Sequence, residues 1–209
     1  MNVGVLALQG DVPEHLAALV ALGGGRWATP VRGPTELARV DVLFLPGGES
    51  TTIARLLQES GLWGPLGERL DRGMPVLATC AGLIVLARRL EPGPSGPNPP
   101  TLGRLDIAVR RNDYGTQRES FEGDVVVDGL EGPPFPGVFI RAPRILEVGP
   151  KAVAFARRGD EVVGVRAGTV WGLTFHPELS GDMRIHELFL DHAQRWRERP
   201  PRPGRHRQA

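Results

Sequence analysis

The only cysteine of the chain, Cys80, lies where a nucleophile could work. Its segment, ATCAG at residues 78–82, joins an apolar run that predicts a strand to one that predicts a helix. A sharp strand-to-helix turn exposes its central side chain and needs small residues two positions to either side, which Ala78 and Gly82 supply. The N–H groups and the dipole of the following helix favour the thiolate. Because a lone cysteine is often only a buried spectator, its neighbours must decide between the two interpretations.

A thiolate nucleophile needs a proton partner, and His176 is the best placed of the five histidines. It follows the predicted strand 170–175 and precedes Pro177-Glu178. In an extended segment, residues two apart project to the same side, so Glu178 would hold one imidazole nitrogen and leave the other for Cys80. The alternative is a surface histidine at a strand end beside a carboxylate.

A third segment, LPGGESTT at residues 45–52, follows another predicted strand. Two glycines let the backbone approach a ligand and turn its N–H groups inward, as an oxyanion hole requires. Glu49, Ser50 and Thr51 add polar groups at the predicted start of a helix. The segment lacks the lysine of a P-loop and the three glycines of a dinucleotide-binding loop. The pattern therefore favours a small polar ligand over a nucleotide.

The elements that position these segments alternate over the first 90 residues. Strands are predicted at 3–8, 27–31, 42–45 and 75–79. Helices are predicted after Asp11 as cap with a stripe of Leu16, Leu19 and Val20, near Ser50 or Thr51, and over 81–90. This alternation predicts βαβ units and a parallel sheet.

The character of the chain changes after a predicted proline-rich loop at 91–100. Short strands without helices between them are predicted at 107–109, 125–127, 138–140, 153–156, 162–165 and 170–175. A helix over 184–196 closes the fold, with His186 and His192 expected to pack or to lie on the surface. The predicted fold class is α/β, a three-layer α/β/α domain with a mostly parallel central sheet and extra antiparallel strands.

Composition restricts the functional class. The 209 residues, 41% hydrophobic and 23% charged, suit one domain over 1–198, followed by a basic tail at 199–209 that is expected to be disordered. A net charge of +1 calls for neither nucleic acid nor an anionic membrane. No apolar run predicts a membrane span, and no signal peptide is expected. A single cysteine predicts a reducing, cytoplasmic location. Metal-ligand spacing is lacking, so no metal or other cofactor is expected.

Taken in order, these segments resemble the class I, or triad, glutamine amidotransferase family, and within it the branch that serves pyridoxal 5′-phosphate synthase. The resemblance covers roughly residues 3–190. Further motifs carry it: GVLALQG at 4–10 with Glu14-His15, Arg111-Asn112 with Tyr114-Gly115, SFE at 120–122, VFIRAP at 138–143 and FHPEL at 175–179. Two residues depart from the family pattern, Ala78 where glycine is common and Thr116 where arginine is usual.

The resemblance implies a flavodoxin-like fold and a glutaminase mechanism. Cys80 would attack the side-chain amide of L-glutamine, with His176 as base and then acid and Glu178 as its orienting group. Backbone N–H groups of Gly48 and Ala81 would stabilise the oxyanion. The residues implied to bind L-glutamine are Gly48, Glu49, Ser50, Arg111, Ile140 and Arg141.

The resemblance also implies a partner, the (β/α)₈-barrel subunit of pyridoxal 5′-phosphate synthase, in a large hetero-oligomer. Family members become active when docked on this subunit, which receives the ammonia. Gln9 and Gly10 would lie at the interface, and His15 is a candidate docking residue. Two alternatives remain: a glutaminase serving another acceptor, such as the histidine-pathway cyclase, and a non-catalytic redox sensor with Cys80 as its thiol.

Overall fold

The computed structural model describes residues 1–23, 28–93, 96–113 and 120–198. The strands in these ranges are β1 (Val3–Leu6), β2 (Ala28–Val31), β3 (Val42–Leu45), β4 (Val76–Thr79), β5 (Ala87–Glu91), β6 (Leu105–Arg110), β7 (Phe121–Val127), β8 (Phe135–Phe139), β9 (Arg144–Val148), β10 (Val153–Arg158), β11 (Glu161–Ala167) and β12 (Val170–Leu173). The helices are α1 (Val12–Ala21), α2 (Pro34–Arg39), α3 (Ser50–Glu59), α4 (Trp63–Asp71), α5 (Ala81–Leu86) and α6 (Arg184–Arg197). A 3₁₀ turn covers Pro177–Leu179.

The main sheet has the strand order β2-β1-β3-β4-β12-β11-β10-β7-β8. Its first five strands are parallel, and the strands from β12 to β8 pair antiparallel. Strands β1, β3 and β4 are buried at every position, because both of their faces are covered. Strands β4 and β12 run side by side, with Thr79 opposite Leu173. The chain segments that follow these two strands therefore emerge together at one edge.

Two apolar cores, one on each face of the sheet, make the fold three-layered. One core packs Leu37 of α2, Leu57 of α3 and Leu83 of α5 against the sheet. The other packs Leu19 of α1 and Phe189 of α6 against the opposite face. The predicted three-layer α/β fold with added antiparallel strands is confirmed.

A second sheet of three strands, β5-β6-β9, corrects the predicted helix over 81–90. The helix α5 ends at Leu86, and Ala87 begins a strand that pairs parallel with β6. Arg88 on this strand forms an ion pair with Asp106 at 2.6 Å, and Arg89 forms one with Glu147 at 2.6 Å. Sheet pairing here overrides a local helical pattern. Strand β9 and helices α2 and α4 were not predicted.

Smaller differences concern α1 and the ends of the predictions. The buried face of α1 carries His15, Ala18 and Leu19, while Val20 is exposed. Several predictions fall outside the described residues: Trp27 of the second strand, residues 94–95 of the loop, the motif 114–116 and the tail 199–209. Among the described helices, none combines the length and the hydropathy that crossing a bilayer requires.

Candidate active site

Cys80 occupies a strained turn between β4 and α5. Its backbone has φ 46° and ψ −104°, a conformation that L-residues rarely adopt. The turn is fixed on both sides, because the Cys80 N–H donates to the Leu173 carbonyl at 2.9 Å and its own carbonyl accepts from Ile84 at 3.2 Å. Gly82 is needed for close packing, since a Cβ there would lie 2.3 Å from the Leu45 carbonyl oxygen. The sharp strand-to-helix turn expected around Cys80 is thus present.

His176 reaches the site from the neighbouring strand. Strand β12 ends at Leu173, three residues earlier, so the expectation that His176 ends this strand is wrong. Its backbone N–H instead donates to the Val138 carbonyl at 2.8 Å, which ties it to β8. The residues after it form a 3₁₀ turn and not an extended segment, which corrects the argument from alternating side chains. The turn nevertheless places Glu178 Oε1 2.8 Å from His176 Nδ1.

A second carboxylate also lies at this imidazole. Asp11 Oδ2 is 3.2 Å from His176 Nδ1. Asp11 is the N-cap residue of α1 by position, but its side chain makes no capping hydrogen bond, so the predicted capping role is wrong. Asp11, His176 and Glu178 offer three potential metal-ligand atoms within 4.8 Å of one another. The 2.8 Å contact between His176 Nδ1 and Glu178 Oε1, however, has the length of a hydrogen bond.

These groups determine the charge of the imidazole. Burial lowers the pKa of His176, but its charge interaction with Cys80 and its contacts with Asp11 and Glu178 outweigh burial and raise the pKa to about 12. Because Nδ1 is held by carboxylates, Nε2 is the nitrogen left for the thiol. The site therefore favours the protonated form of the imidazole.

The glycine loop packs on the loop that carries Gln9 and Gly10. The Glu49 N–H donates to Gln9 Oε1 at 2.8 Å, and the Asp11 N–H donates to the Gly47 carbonyl at 3.2 Å. Gly48 has φ +142°, and a Cβ there would lie 2.6 Å from Gln9 Oε1. Only glycine permits so close an approach. The segment expected to face the partner thus contacts the segment expected to hold the oxyanion.

Glu49 caps helix α3. Its carboxylate accepts from the N–H groups of Thr51 and Thr52 at 3.0 and 2.6 Å. Although partial burial raises the pKa of Glu49, these hydrogen bonds lower it below its ordinary value. The Glu49 carboxylate is thus engaged with the helix, and the neighbouring Ser50 is buried at the start of α3.

One cleft collects most of the predicted site residues. It has about 610 Å³ of empty space, part of it open to solvent, and its lining residues are Asp11, Gly48, Glu49, Ser50, Cys80, Ile84, Arg111, Asn112, Ile140, Arg141 and His176. The Cys80 sulfur lies 4.0 Å from the Ile140 carbonyl. Arg111 is 5% exposed and donates from Nη1 to Thr51 Oγ1 at 3.2 Å.

Four of the predicted residues do not line this cleft: Ala81, Gln9, Gly10 and Glu178. The sequence argument gave Asp11, Ile84 and Asn112 no role in the site, although all three line this cleft. Asp11 directly follows Gln9-Gly10, so its place in the chain was the signal that could have identified it.

Comparison with known proteins adds the family. The model of the SNO glutamine amidotransferase family matches residues 5–195. The chain belongs to this family. The predicted resemblance to glutamine amidotransferases is therefore confirmed.

Curated proteins and solved structures similar to this amidotransferase agree with the assignment. A pyridoxal 5′-phosphate synthase subunit PdxT from Streptomyces coelicolor is 52% identical over 189 residues, 90% of this chain and 92% of the relative. The PdxT subunit from Deinococcus radiodurans is 51% identical over 191 residues, 91% and 96% of the two chains. A crystal structure of a glutamine amidotransferase superposes with a TM-score of 0.84 at 45% identity, covering 93% of this chain and all of the other.

Proposed function

We propose that this chain is the glutaminase subunit of a pyridoxal 5′-phosphate synthase, which hydrolyses L-glutamine to L-glutamate and ammonia. The observation that carries the proposal is about 50% identity to PdxT subunits over nine-tenths of both chains. The site geometry supports it, because the only cysteine and a carboxylate-held histidine line one cleft.

The proposed reaction begins with the Cys80 thiolate attacking the side-chain amide carbon of glutamine. The N–H groups of Gly48 and Ala81 stabilise the oxyanion, and the Ala81 N–H suits this because it lies in the first turn of α5, where N–H groups lack intrahelical partners. The His176 imidazolium gives its proton to the amide nitrogen, so that the C–N bond breaks and ammonia leaves a γ-glutamyl thioester. Neutral His176 then takes a proton from water, which hydrolyses the thioester to glutamate and restores the thiolate.

Glu178 fixes the tautomer and the orientation of His176 throughout, through the 2.8 Å contact with Nδ1. Asp11 supplements it from the other side at 3.2 Å. Two carboxylates on one nitrogen stabilise the imidazolium, the form that must exist when the leaving group is protonated.

Glutamine is proposed to bind in the cleft between α3 and the segment after β8. The planar fork of Arg111 suits the substrate carboxylate, since it can bond both oxygens. Gly48, Glu49 and Ser50 line one wall, and Ile140 and Arg141 line another. Arg141 has a positive φ of 43°, which indicates that the backbone here is held in a defined, strained shape.

The proposed partner is the (β/α)₈-barrel synthase subunit, in a large cytoplasmic hetero-oligomer that receives the ammonia. Gln9 and Gly10 are proposed to contact it, and their packing on Gly47 and Gly48 would transmit docking to the oxyanion loop. One glutaminase domain is proposed to extend over residues 1–198.

Ammonia release from glutamine, measured with and without the synthase subunit, tests this function. Wild-type protein with the subunit should release ammonia, and the Cys80→Ala variant should release none while unfolding at a similar temperature. Diazo-oxo-norleucine, an electrophilic glutamine mimic, should label Cys80 and be blocked by glutamine. Oxidation of Cys80 without glutamine-sensitive labelling would favour the redox-sensor alternative. Normal turnover by Cys80→Ala would refute the nucleophile.

A further inference from the structure

His15 of α1 lies fully buried behind the proposed triad. Its side chain has no exposed area, so the expectation that it docks directly onto a partner does not fit this structure. Its Nε2 lies 3.2 Å from Thr79 Oγ1 and 3.4 Å from Glu178 Oε2. One nitrogen atom therefore meets both the residue before the nucleophile and the outer oxygen of the triad carboxylate.

The Glu178 carboxylate needs such a neighbour. Its side chain is buried, and burying a charge is costly unless each oxygen finds compensation. His176 compensates Oε1 at 2.8 Å, whereas Oε2 makes no hydrogen bond of good geometry within the described chain. The ring nitrogen of His15, at 3.4 Å, is the nearby group that can point a proton at this oxygen.

The protonation state of His15 follows from its surroundings. Burial lowers the pKa of His15 and outweighs Glu178, which raises it, so the ring is neutral at pH 7. A neutral ring carries one N–H, and the adjacent carboxylate favours its placement on Nε2. Burial raises the pKa of Glu178, but the hydrogen bond and the positive charge of His176 lower it below its ordinary value, so the carboxylate is ionised.

We propose that His15 is a positioning residue for the glutaminase reaction, whose Nε2 hydrogen-bonds Thr79 Oγ1 and lies against the outer oxygen of Glu178. The inference rests on the proposed function and deepens it. In this arrangement Glu178 cannot rotate away from His176 without losing its second partner. Since Thr79 immediately precedes Cys80, the two contacts of His15 Nε2 connect the Glu178 carboxylate with the turn that carries the nucleophile.

The charged and titratable groups around His15 define what a pH experiment can report. Glu178 faces it from the 3₁₀ turn, and His176 precedes that turn. His186 of α6 has its ring centroid 5.7 Å away, and Asp11 and Glu14 belong to the start of α1. Of the carboxylates among these groups, only Glu178 has an oxygen within 4.0 Å of the His15 ring nitrogens in the described part of the chain.

The test compares His15→Gln and His15→Leu in the complex with the synthase subunit. Glutamine can place a side-chain N–H near the position of Nε2, whereas leucine has similar bulk without a donor. We expect His15→Leu to lower kcat by about ten- to a hundredfold, the range seen when an outer partner of a site residue is lost at metal centres, with little change in KM. The acid limb of its kcat profile should move to higher pH. His15→Gln should recover most of the activity and the wild-type profile.

His186 provides the matched control. It is also fully buried, stacks on Phe44 with 5.6 Å between ring centroids, and has no hydrogen-bond partner on either ring nitrogen among the described residues. The same substitutions, His186→Gln and His186→Leu, should lower stability without moving the pH profile. Equal losses in both His15 variants, or a His15→Leu profile like that of His186→Leu, would overturn the positioning role.

Alkylation of Cys80 by iodoacetamide separates this proposal from the proposed function, because it needs no glutamine. A chain with a single cysteine gives an unambiguous signal. We expect His15→Leu to react about tenfold more slowly than wild type at pH 7, and His15→Gln to react at nearly the wild-type rate, a difference of roughly 1.4 kcal/mol. If the wild type releases no ammonia, the proposed function fails and alkylation alone decides on His15. Identical alkylation rates in all three proteins would then refute its role.

Discussion

Replacing Gly82 with alanine tests the link between packing and chemistry at the nucleophile turn. The new Cβ would lie 2.3 Å from the Leu45 carbonyl oxygen and 2.6 Å from Leu45 Cδ2. A backbone oxygen cannot move aside cheaply, so α5 must shift by about 1 Å to restore ordinary contact distances. Overpacking of this kind costs about 1–3 kcal/mol, and the helix propensity of alanine offsets up to about 1 kcal/mol. The expected net loss is about 1–2 kcal/mol.

The shift also displaces Cys80, which immediately precedes α5. A misplacement of about 1 Å at a reacting atom lowers turnover by about a hundredfold. Thermal unfolding should show a melting temperature lower by about 2–8 °C, and the ammonia assay should show the loss in kcat.

Gly67 in the middle of α4 is the matched control, because a Cβ there meets only ordinary contacts at 3.6 Å and beyond. Gly67→Ala should be stabilised by about 0.5–1 kcal/mol and fully active. A Gly82→Ala variant that behaves like Gly67→Ala would refute the reasoning.

Three further substitutions probe the charges of the site. Asp11→Asn removes the negative charge of one of the two carboxylates at Nδ1 that raise the pKa of His176, so the basic limb of kcat/KM should move to lower pH; an unchanged limb would exclude a role for Asp11. Glu49→Ala should cost about 1 kcal/mol in urea unfolding at pH 7, because α3 loses its cap. Since the folded-state pKa of Glu49 is lowered, the charge-dependent part of the cost should be full above the unfolded value of 4.5 and be lost as the pH falls through the lower folded-state pKa, whereas a pH-independent cost would contradict a charged cap. Arg111→Lys keeps the charge but loses the planar fork, so KM for glutamine should rise about tenfold with a smaller change in kcat; an unaltered KM would argue against carboxylate binding.

Much of the parallel half of the sheet was predictable because its strands are short, apolar and buried on both faces. The predicted strand at 42–45 coincides with β3, and that at 75–79 differs from β4 by one residue. A strand that is buried on both faces is a nearly continuous apolar run, which differs clearly from the periodic pattern of an amphipathic helix. The predicted turn at Cys80 followed from the same alternation of strand and helix.

The failures occurred where long-range partners decide local structure. Residues 87–90 were predicted as helix, but residues 87–91 form a strand that pairs with β6, a partner distant in the sequence, and Arg88 and Arg89 form ion pairs with Asp106 and Glu147. Asp11 was predicted to cap a helix, yet its carboxylate lies 3.2 Å from Nδ1 of His176, which is far along the chain. His15 was predicted as a candidate docking residue, but its side chain is fully buried. Each of these contacts joins residues that lie far apart in the sequence, so local patterns do not reveal them, and only the position of Asp11 directly after Gln9-Gly10 offered a clue.

The side-by-side pairing of β4 and β12 sets the spacing of the nucleophile and its base. The hydrogen bonding between β4 and β12 continues past the end of β4, because the Cys80 N–H donates to the Leu173 carbonyl at 2.9 Å. The spacing of these two neighbouring strands therefore sets the separation of Cys80 and His176. The stretch of chain between β4 and β12 contains the three-stranded sheet β5-β6-β9 and then returns to pair beside β4. Insertions or deletions in this intervening stretch that leave β8, Arg111 and Ile140 in place should therefore be tolerated without changing the distance between sulfur and imidazole.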